Sequence, residues 1–182
     1  MDLGLKGKVA LVTGAGSQIG FGKGIVMTLA RDGCNIIASD VNLEGAKQTA
    51  SEVNALGCRA IAIKADITNS AEVNNMVDAA MAEFGKIDIL VNNAGAGTPP
   101  KPFVETTTAD WDANININLR GVLNCTKAVL GHMISQKSGK IINVSSFCAK
   151  SGGANVAVYC AAKAGVIAFT KSLAAWLPNI LG

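Results

Sequence analysis

Short apolar runs alternate along this chain with longer stretches whose apolar positions recur every three to four residues. Residues 8–13 are a β-branched run that stops at glycines, which predicts a first strand, and 22–32 carry helical spacing up to Gly33. Residues 34–39 predict a second strand, 43–56 a helix rich in Ala, Glu, Lys and Gln that Gly57 stops, and 59–64 a third strand. A helix over 70–84, capped by Ser70 and ended by Gly85, leads to a fourth strand at 87–91. Residues 110–136 predict a mostly helical segment, 140–144 a fifth strand, and 155–177 a long helix that Pro178 and the residues after it end. Asn114-Ile115-Asn116-Ile117-Asn118 alternates like a strand, but its neighbours keep helical spacing, so the helix is predicted to run through it. A loop is expected at 95–101, which contains Pro99-Pro100.

Strands that alternate with helices in this way predict an α/β fold: a doubly wound parallel sheet with helices on both faces, formed as a single domain over residues 1–182. Parallel neighbours need crossovers, and the intervening helices supply them with the usual right hand.

Composition narrows the classes of partner. Apolar residues make up 49% of the chain and charged residues 16%, below the roughly 25% charged share of an ordinary globular domain. Together with a mean hydropathy of +0.34, this predicts surface that another subunit covers, hence a homo-oligomer. The net charge of +3 comes from scattered lysines and arginines with no basic stripe, which argues against nucleic acid as a partner. No uninterrupted apolar run approaches about 18 residues, so no membrane partner is expected. Residues 1–8 lack the apolar core of a secretory signal, and the five cysteines, Cys34, Cys58, Cys125, Cys148 and Cys160, have no zinc-type spacing. They read as reduced, buried fillers in a cytoplasmic protein without a metal. The sole histidine, His132, is expected on a helix surface, and Lys150 in solvent.

The candidate chemistry begins where the first strand ends, in Thr13-Gly14-Ala15-Gly16-Ser17-Gln18-Ile19-Gly20-Phe21-Gly22. Glycines at a strand-to-helix turn let the backbone approach a pyrophosphate, whose charge is favoured at the helix N-terminus. The second strand is followed by Asp40, a carboxylate placed to accept both hydroxyls of an adenosine ribose and to repel a 2′-phosphate. This predicts NAD(H) in preference to NADP(H). Tyr159 and Lys163 lie four apart in Tyr159-Cys160-Ala161-Ala162-Lys163, on one face of a helix, and Tyr159 is the only tyrosine. A phenol titrates near 10 in water, so a tyrosine acts as a base near neutrality only where cations stabilise the phenolate. An ammonium one helical turn away is such a cation.

These motifs, in this order, resemble the short-chain dehydrogenase/reductase family across essentially the whole chain. The family's turn usually reads Thr-Gly-x3-Gly-x-Gly. Laid strictly from Gly14, that pattern meets Gln18 and then Gly20; with two extra loop residues it meets Gly20 and Gly22. The longer loop is favoured because Gly22 to Asp40 is 18 positions, the family interval. Which loop amides meet the phosphates stays open between Gly14, Ser17, Gly20, Phe21 and Gly22. The resemblance further implies that Asp66 and Ile67 contact adenine, that Asn93, Ala94 and Gly95 line the nicotinamide side, and that Tyr159 and Lys163 also hold the cofactor. Ser146 lies 13 residues before Tyr159, the family's serine-to-tyrosine interval, and is preferred over Ser145 on that ground. Ser146 is implied to hold the substrate oxygen and Asn118, in Asn118-Leu119-Arg120-Gly121, to anchor a proton relay to Lys163.

The implied fold is Rossmann-type, and the implied reaction is hydride transfer between NAD(H) and a secondary alcohol or ketone such as a 3-oxoacyl, sugar or steroid compound. Members of this family usually continue into further strands and a substrate lid, form tetramers or dimers on their two long helices, and carry an acidic residue where Trp176 stands. The chain is therefore expected to be incomplete at its C-terminus, with a bare fifth strand. A dinucleotide-binding or interaction module without turnover is the alternative reading.

Overall fold

The β-branched opening run forms β1 (Val9–Thr13), and all five of its residues are buried. The computed structural model describes residues 3–177. Four further strands, β2 (Asn35–Asp40), β3 (Ala60–Lys64), β4 (Ile89–Asn92) and β5 (Lys140–Asn143), complete one parallel sheet in the order β3-β2-β1-β4-β5. Helices α1 (Phe21–Arg31), α2 (Leu43–Ala55) and α3 (Ser70–Phe84) connect the first four strands. After β4 come a short 3₁₀ turn (Phe103–Glu105), α4 (Thr108–Ile115), a π-helical turn (Asn116–Arg120) and α5 (Gly121–Ser135). A single-turn α6 (Cys148–Ser151) and the long α7 (Ala157–Trp176) follow β5.

Alternation along β1 explains why its first four residues are all apolar. Val9 and Leu11 face a core with Val73, Met76 and Val129, while Ala10 and Val12 face a second core with Val26, Ala46 and Val53. A central strand covered on both sides favours apolar residues on each, and Thr13 at its end is accommodated by hydrogen-bonding its hydroxyl to Val91 O. The outer strands differ. In β5, which pairs only with β4, every residue is at least partly exposed, and Ile142 keeps 50% of its surface in solvent.

The expected elements appear with corrections at their ends. Asn69, not Ser70, caps α3, because its side chain accepts the N–H groups of Ala71 and Glu72. Helix α4 starts two residues earlier than 110, where Thr107 and Asp110 exchange hydrogen bonds in a capping box. Helix α7 starts two residues later than 155, because Asn155 has φ +64° and its carbonyl accepts Lys101 N–H. The end predicted from Pro178 onward lies outside the described residues.

The strand-like alternation at 114–118 is helical, but not with a uniform period. Asn114 and Asn118, four apart, are the buried positions there, and Ile115 is 40% exposed. Beside the π turn, side-chain amides tie the helix to itself and to the loop after β4: Asn118 donates to Asn114 O and Ala96 O, and Asn114 to Asp110 O and Thr98 Oγ1. The cysteines also depart from the filler expectation. Cys34, Cys125 and Cys160 are buried, but Cys58 and Cys148 are only half-buried. His132 is half-buried on α5. By length and composition alone α7 is apolar enough to cross a membrane, although it is broken by polar residues and carries the buried Lys163 on the face that meets the sheet.

Candidate functional site

Chain order and parallel pairing bring the C-terminal ends of β1, β2 and β4 to one rim, where open α/β sheets hold their ligands. A cleft of about 430 Å³ follows this rim. It is lined by Gly14, Ser17, Gly20, Phe21 and Gly22 from the first turn, by Asp40, by Asp66 and Ile67, and by Asn93, Ala94 and Gly95. Every residue singled out on the cofactor side except Tyr159 and Lys163 thus lies on one surface. Ser39, Val41, Ala65 and Ile117 line it too. Among these Ser39 stands out, because its Oγ is buried without a partner.

Local geometry shows how the turn is held. Gly14 has φ +69°, and a Cβ on Gly22 would overlap its carbonyl, so α1 packs directly on the turn. With Gly20 as N-cap of α1, this fits the loop register with two extra residues. Thr13 Oγ1 accepts the N–H groups of Asn93 and Ala94, each at 3.1 Å, and Asn93 Nδ2 donates to Thr13 O and Gly14 O at 2.9 and 3.2 Å. The Asn93 amide therefore braces the turn from below. Phe21 is 87% exposed, so its ring lies largely in solvent at the mouth of the cleft.

The acidic end is equally fixed. Asp40 Oδ2 accepts Gly16 N–H at 2.8 Å and Oδ1 accepts Asn42 N–H at 2.9 Å. Asp66 Oδ1 accepts both the N–H and the hydroxyl of Thr68, which leaves this carboxylate a structural part in its own loop.

At the other end Gly95 joins the cleft to a second cluster. A Cβ there would lie 2.8 Å from Asn118 Oδ1 and 3.0 Å from Lys163 Nζ. Lys163 is 3% exposed, donates to Val144 O at 3.1 Å, and sits 5.9 Å from the centre of the Tyr159 ring. Burial pushes its pKa below the ordinary lysine value, partly opposed by nearby Cys148. Asn118 Oδ1 is buried and unpartnered. Ser145 and Ser146 part company here: Ser145 Oγ donates to Lys163 O, while Ser146 Oγ is hydrogen-bonded to Cys148 Sγ at 3.1 Å. Cys148, read from the sequence as a buried filler, is therefore a neighbour of the candidate serine. Two residues apart, they share no periodicity that could have signalled that contact.

Whether a dinucleotide suits these residues can be judged from their chemistry. An acid at one end, glycines at a helix N-terminus in the middle, and an ammonium beside an orphaned carbonyl at the other match ribose hydroxyls, a pyrophosphate and a second ribose in turn. The fit is good.

Comparison with known proteins agrees. A family model described as short chain dehydrogenase matches residues 8–179. The chain is 43% identical to the (2S)-[(R)-hydroxy(phenyl)methyl]succinyl-CoA dehydrogenase subunit BbsD of Thauera aromatica, over 94% of this chain and 68% of that protein. It is 39% identical to the 3-oxoacyl-[acyl-carrier-protein] reductase FabG of Thermotoga maritima, over 98% and 70% respectively. Among solved structures it is similar to NAD+-bound xylitol dehydrogenase, with TM-score 0.92, 35% identity and coverage of 97% of this chain and 67% of that one. A short chain dehydrogenase/reductase from Burkholderia phymatum in complex with NAD gives TM-score 0.91 at 31% identity, over 96% of this chain and 62% of that one. The chain thus spans about two thirds of the length of these relatives. On sequence and on fold alike, it belongs to the short-chain dehydrogenase family of oxidoreductases.

Proposed function

We propose that this chain uses NAD(H), in preference to NADP(H), to interconvert a secondary alcohol and a ketone through Ser146, Tyr159, Lys163 and Asn118. The observation that carries this reading is the meeting of Lys163 and Asn118 at Gly95, with the Tyr159 ring 5.9 Å from the Lys163 ammonium, at one end of a cleft whose other end is Asp40. Bound nicotinamide supplies the hydride donor or acceptor. Tyr159 exchanges a proton with the substrate oxygen, and Ser146 Oγ turns from Cys148 to hydrogen-bond that oxygen and orient it. The Lys163 ammonium, held dry against Val144 O, favours the phenolate of Tyr159. Because burial lowers its pKa, Lys163 gives up a proton more readily than a free lysine, which suits a relay in which the Asn118 carbonyl anchors a water that passes the proton between Lys163 and solvent. The Asp40 carboxylate favours ribose hydroxyls and disfavours a 2′-phosphate.

We further infer a cytoplasmic homo-oligomer without nucleic-acid or membrane partners. The outward apolar residues Phe103, Val104 and Leu123, together with the uncovered part of α7, supply surface for a second copy.

Fluorescence titration with NADH and NADPH tests the cofactor, with tighter NADH binding expected; tighter NADPH binding sinks the preference. A single-turnover assay with NADH and a simple ketone tests the chemistry. Oxidation that depends on Tyr159 supports it. The exposed edge of β5 favours the alternative of a module that binds the dinucleotide without turnover. Saturable binding with no Tyr159-dependent oxidation would establish that alternative.

A further inference from the structure

The two extra residues of the first turn are strapped to α2, and the strap is Gln18. Its Nε2 carries two hydrogens, and carbonyls stand at both: Gly16 O at 3.1 Å and Gly45 O at 3.0 Å, with Thr49 Oγ1 at 3.4 Å beside them. Its Oε1 accepts Lys23 Nζ at 2.7 Å, and the same ammonium is paired with Glu52 at 2.6 Å. Thr49, fully buried, adds a second tie by donating to Ala15 O at 2.8 Å. The loop sits so close on α2 that a Cβ on Gly45 would overlap the Gly16 carbonyl.

What the strap holds in place is Gly16. Its N–H is the donor to Asp40 Oδ2, and a Cβ on Gly16 would lie 2.8 Å from the Asp40 carboxyl carbon. Asp40 is thereby pinned between Gly16 N–H on one oxygen and Asn42 N–H on the other. A carboxylate so fixed can neither swing away from an incoming 2′-phosphate nor leave room beside itself for one. We infer that Gln18 is a positioning residue for coenzyme selection: by clamping the lengthened loop to α2 it locks Gly16 onto Asp40 and sharpens the choice of NADH over NADPH. The inference rests on the reading of the cleft as an NAD(H) site.

The test compares wild type with Gln18→Met, which keeps length but removes both polar ends, and Gln18→Glu, which keeps the acceptor toward Lys23 but removes the donor. Dissociation constants for NADH and NADPH are measured by fluorescence, with thermal melts to confirm folding. In both variants the preference for NADH is expected to narrow about tenfold, roughly the effect of losing one or two well-placed hydrogen bonds. The Gly16 amide in the coenzyme-free protein is expected to lose protection from hydrogen exchange. Equal weakening toward both coenzymes, or an unchanged ratio with Gly16 still protected, overturns the role of Gln18 and leaves the NAD(H) reading intact. A wild type that binds neither coenzyme removes the NAD(H) reading and this inference with it. Should Gln18→Met fail to fold, Gln18→Glu decides the outcome alone.

Discussion

The two ends of the cleft are built on unlike foundations. The glycine turn and Asp40 extend from β1 and β2, central strands whose residues are buried almost without exception. Ser146 instead lies between β5, an edge strand whose Ile142 is 50% exposed, and the single turn of α6, and Lys163 comes to it from α7. Lys163 is anchored to the carbonyl of Val144 just past that edge, and Ser146 follows two residues later. The difference teaches a division of labour. Recognition of the dinucleotide falls to turns on the buried centre of the sheet, and the proposed chemistry to side chains that α7 and the π turn bring against the loop past its edge strand.

Four substitutions would break or sharpen that contrast. Tyr159→Phe removes the phenol and is expected to lower single-turnover oxidation of NADH by roughly 10²- to 10⁴-fold, the usual worth of a general acid–base group. NADH affinity should stay within about twofold in a titration, so a parallel loss of binding would argue that the two ends are not separable. Leu11→Ala, in the fully buried middle of β1, is expected to cost about 2–5 kcal/mol in urea unfolding, whereas Ile142→Ala on β5 should stay within about 0.5 kcal/mol. Similar costs at both positions would contradict the contrast between centre and edge. Asp40→Asn is expected to shift the NADH/NADPH affinity ratio toward NADPH by about tenfold, near 1.4 kcal/mol. An unmoved ratio would mean that Asp40 does not face the ribose.

The smallest effect concerns Lys163. Its folded pKa is lowered by burial, so its desolvation penalty is fully present below that value. As pH rises from there toward about 10.4, the unfolded chain still binds a proton that the native lysine has released, and wild type gains stability. Lys163→Met is therefore expected to melt at or above wild type at neutral pH and to lose that margin in alkaline buffer. A wild-type-minus-variant difference flat across the pH series would contradict the burial argument.

Much of this architecture is legible in the residues. The central strands are mostly apolar because both sheet faces are covered there, and the expected strand limits fall within two residues of those observed. The cleft lining is legible for a related reason: strand ends in a parallel sheet must share a rim, so Gly14, Asp40, Asp66 and Asn93 come together once the order is known. What escaped is set by side chains acting across space. Beside the π turn at 116–120 the amides of Asn114 and Asn118 bond helix carbonyls, and the apolar alternation of Ile115 and Ile117 hides them. The contact of Cys148 with Ser146, two residues apart where the short loop after β5 enters α6, follows no periodicity that could be read. Gln18 looked like a loop residue; its importance appears only once α2 is laid against it.

Gly95 carries one more consequence. With no side chain, it lines the dinucleotide groove and at the same time lets the Asn118–Lys163 pair come directly against its backbone. Electrical changes in the groove therefore reach the buried amine through almost no intervening matter. Even one methyl added there would fall within 3.0 Å of both polar groups and push the pair off the groove.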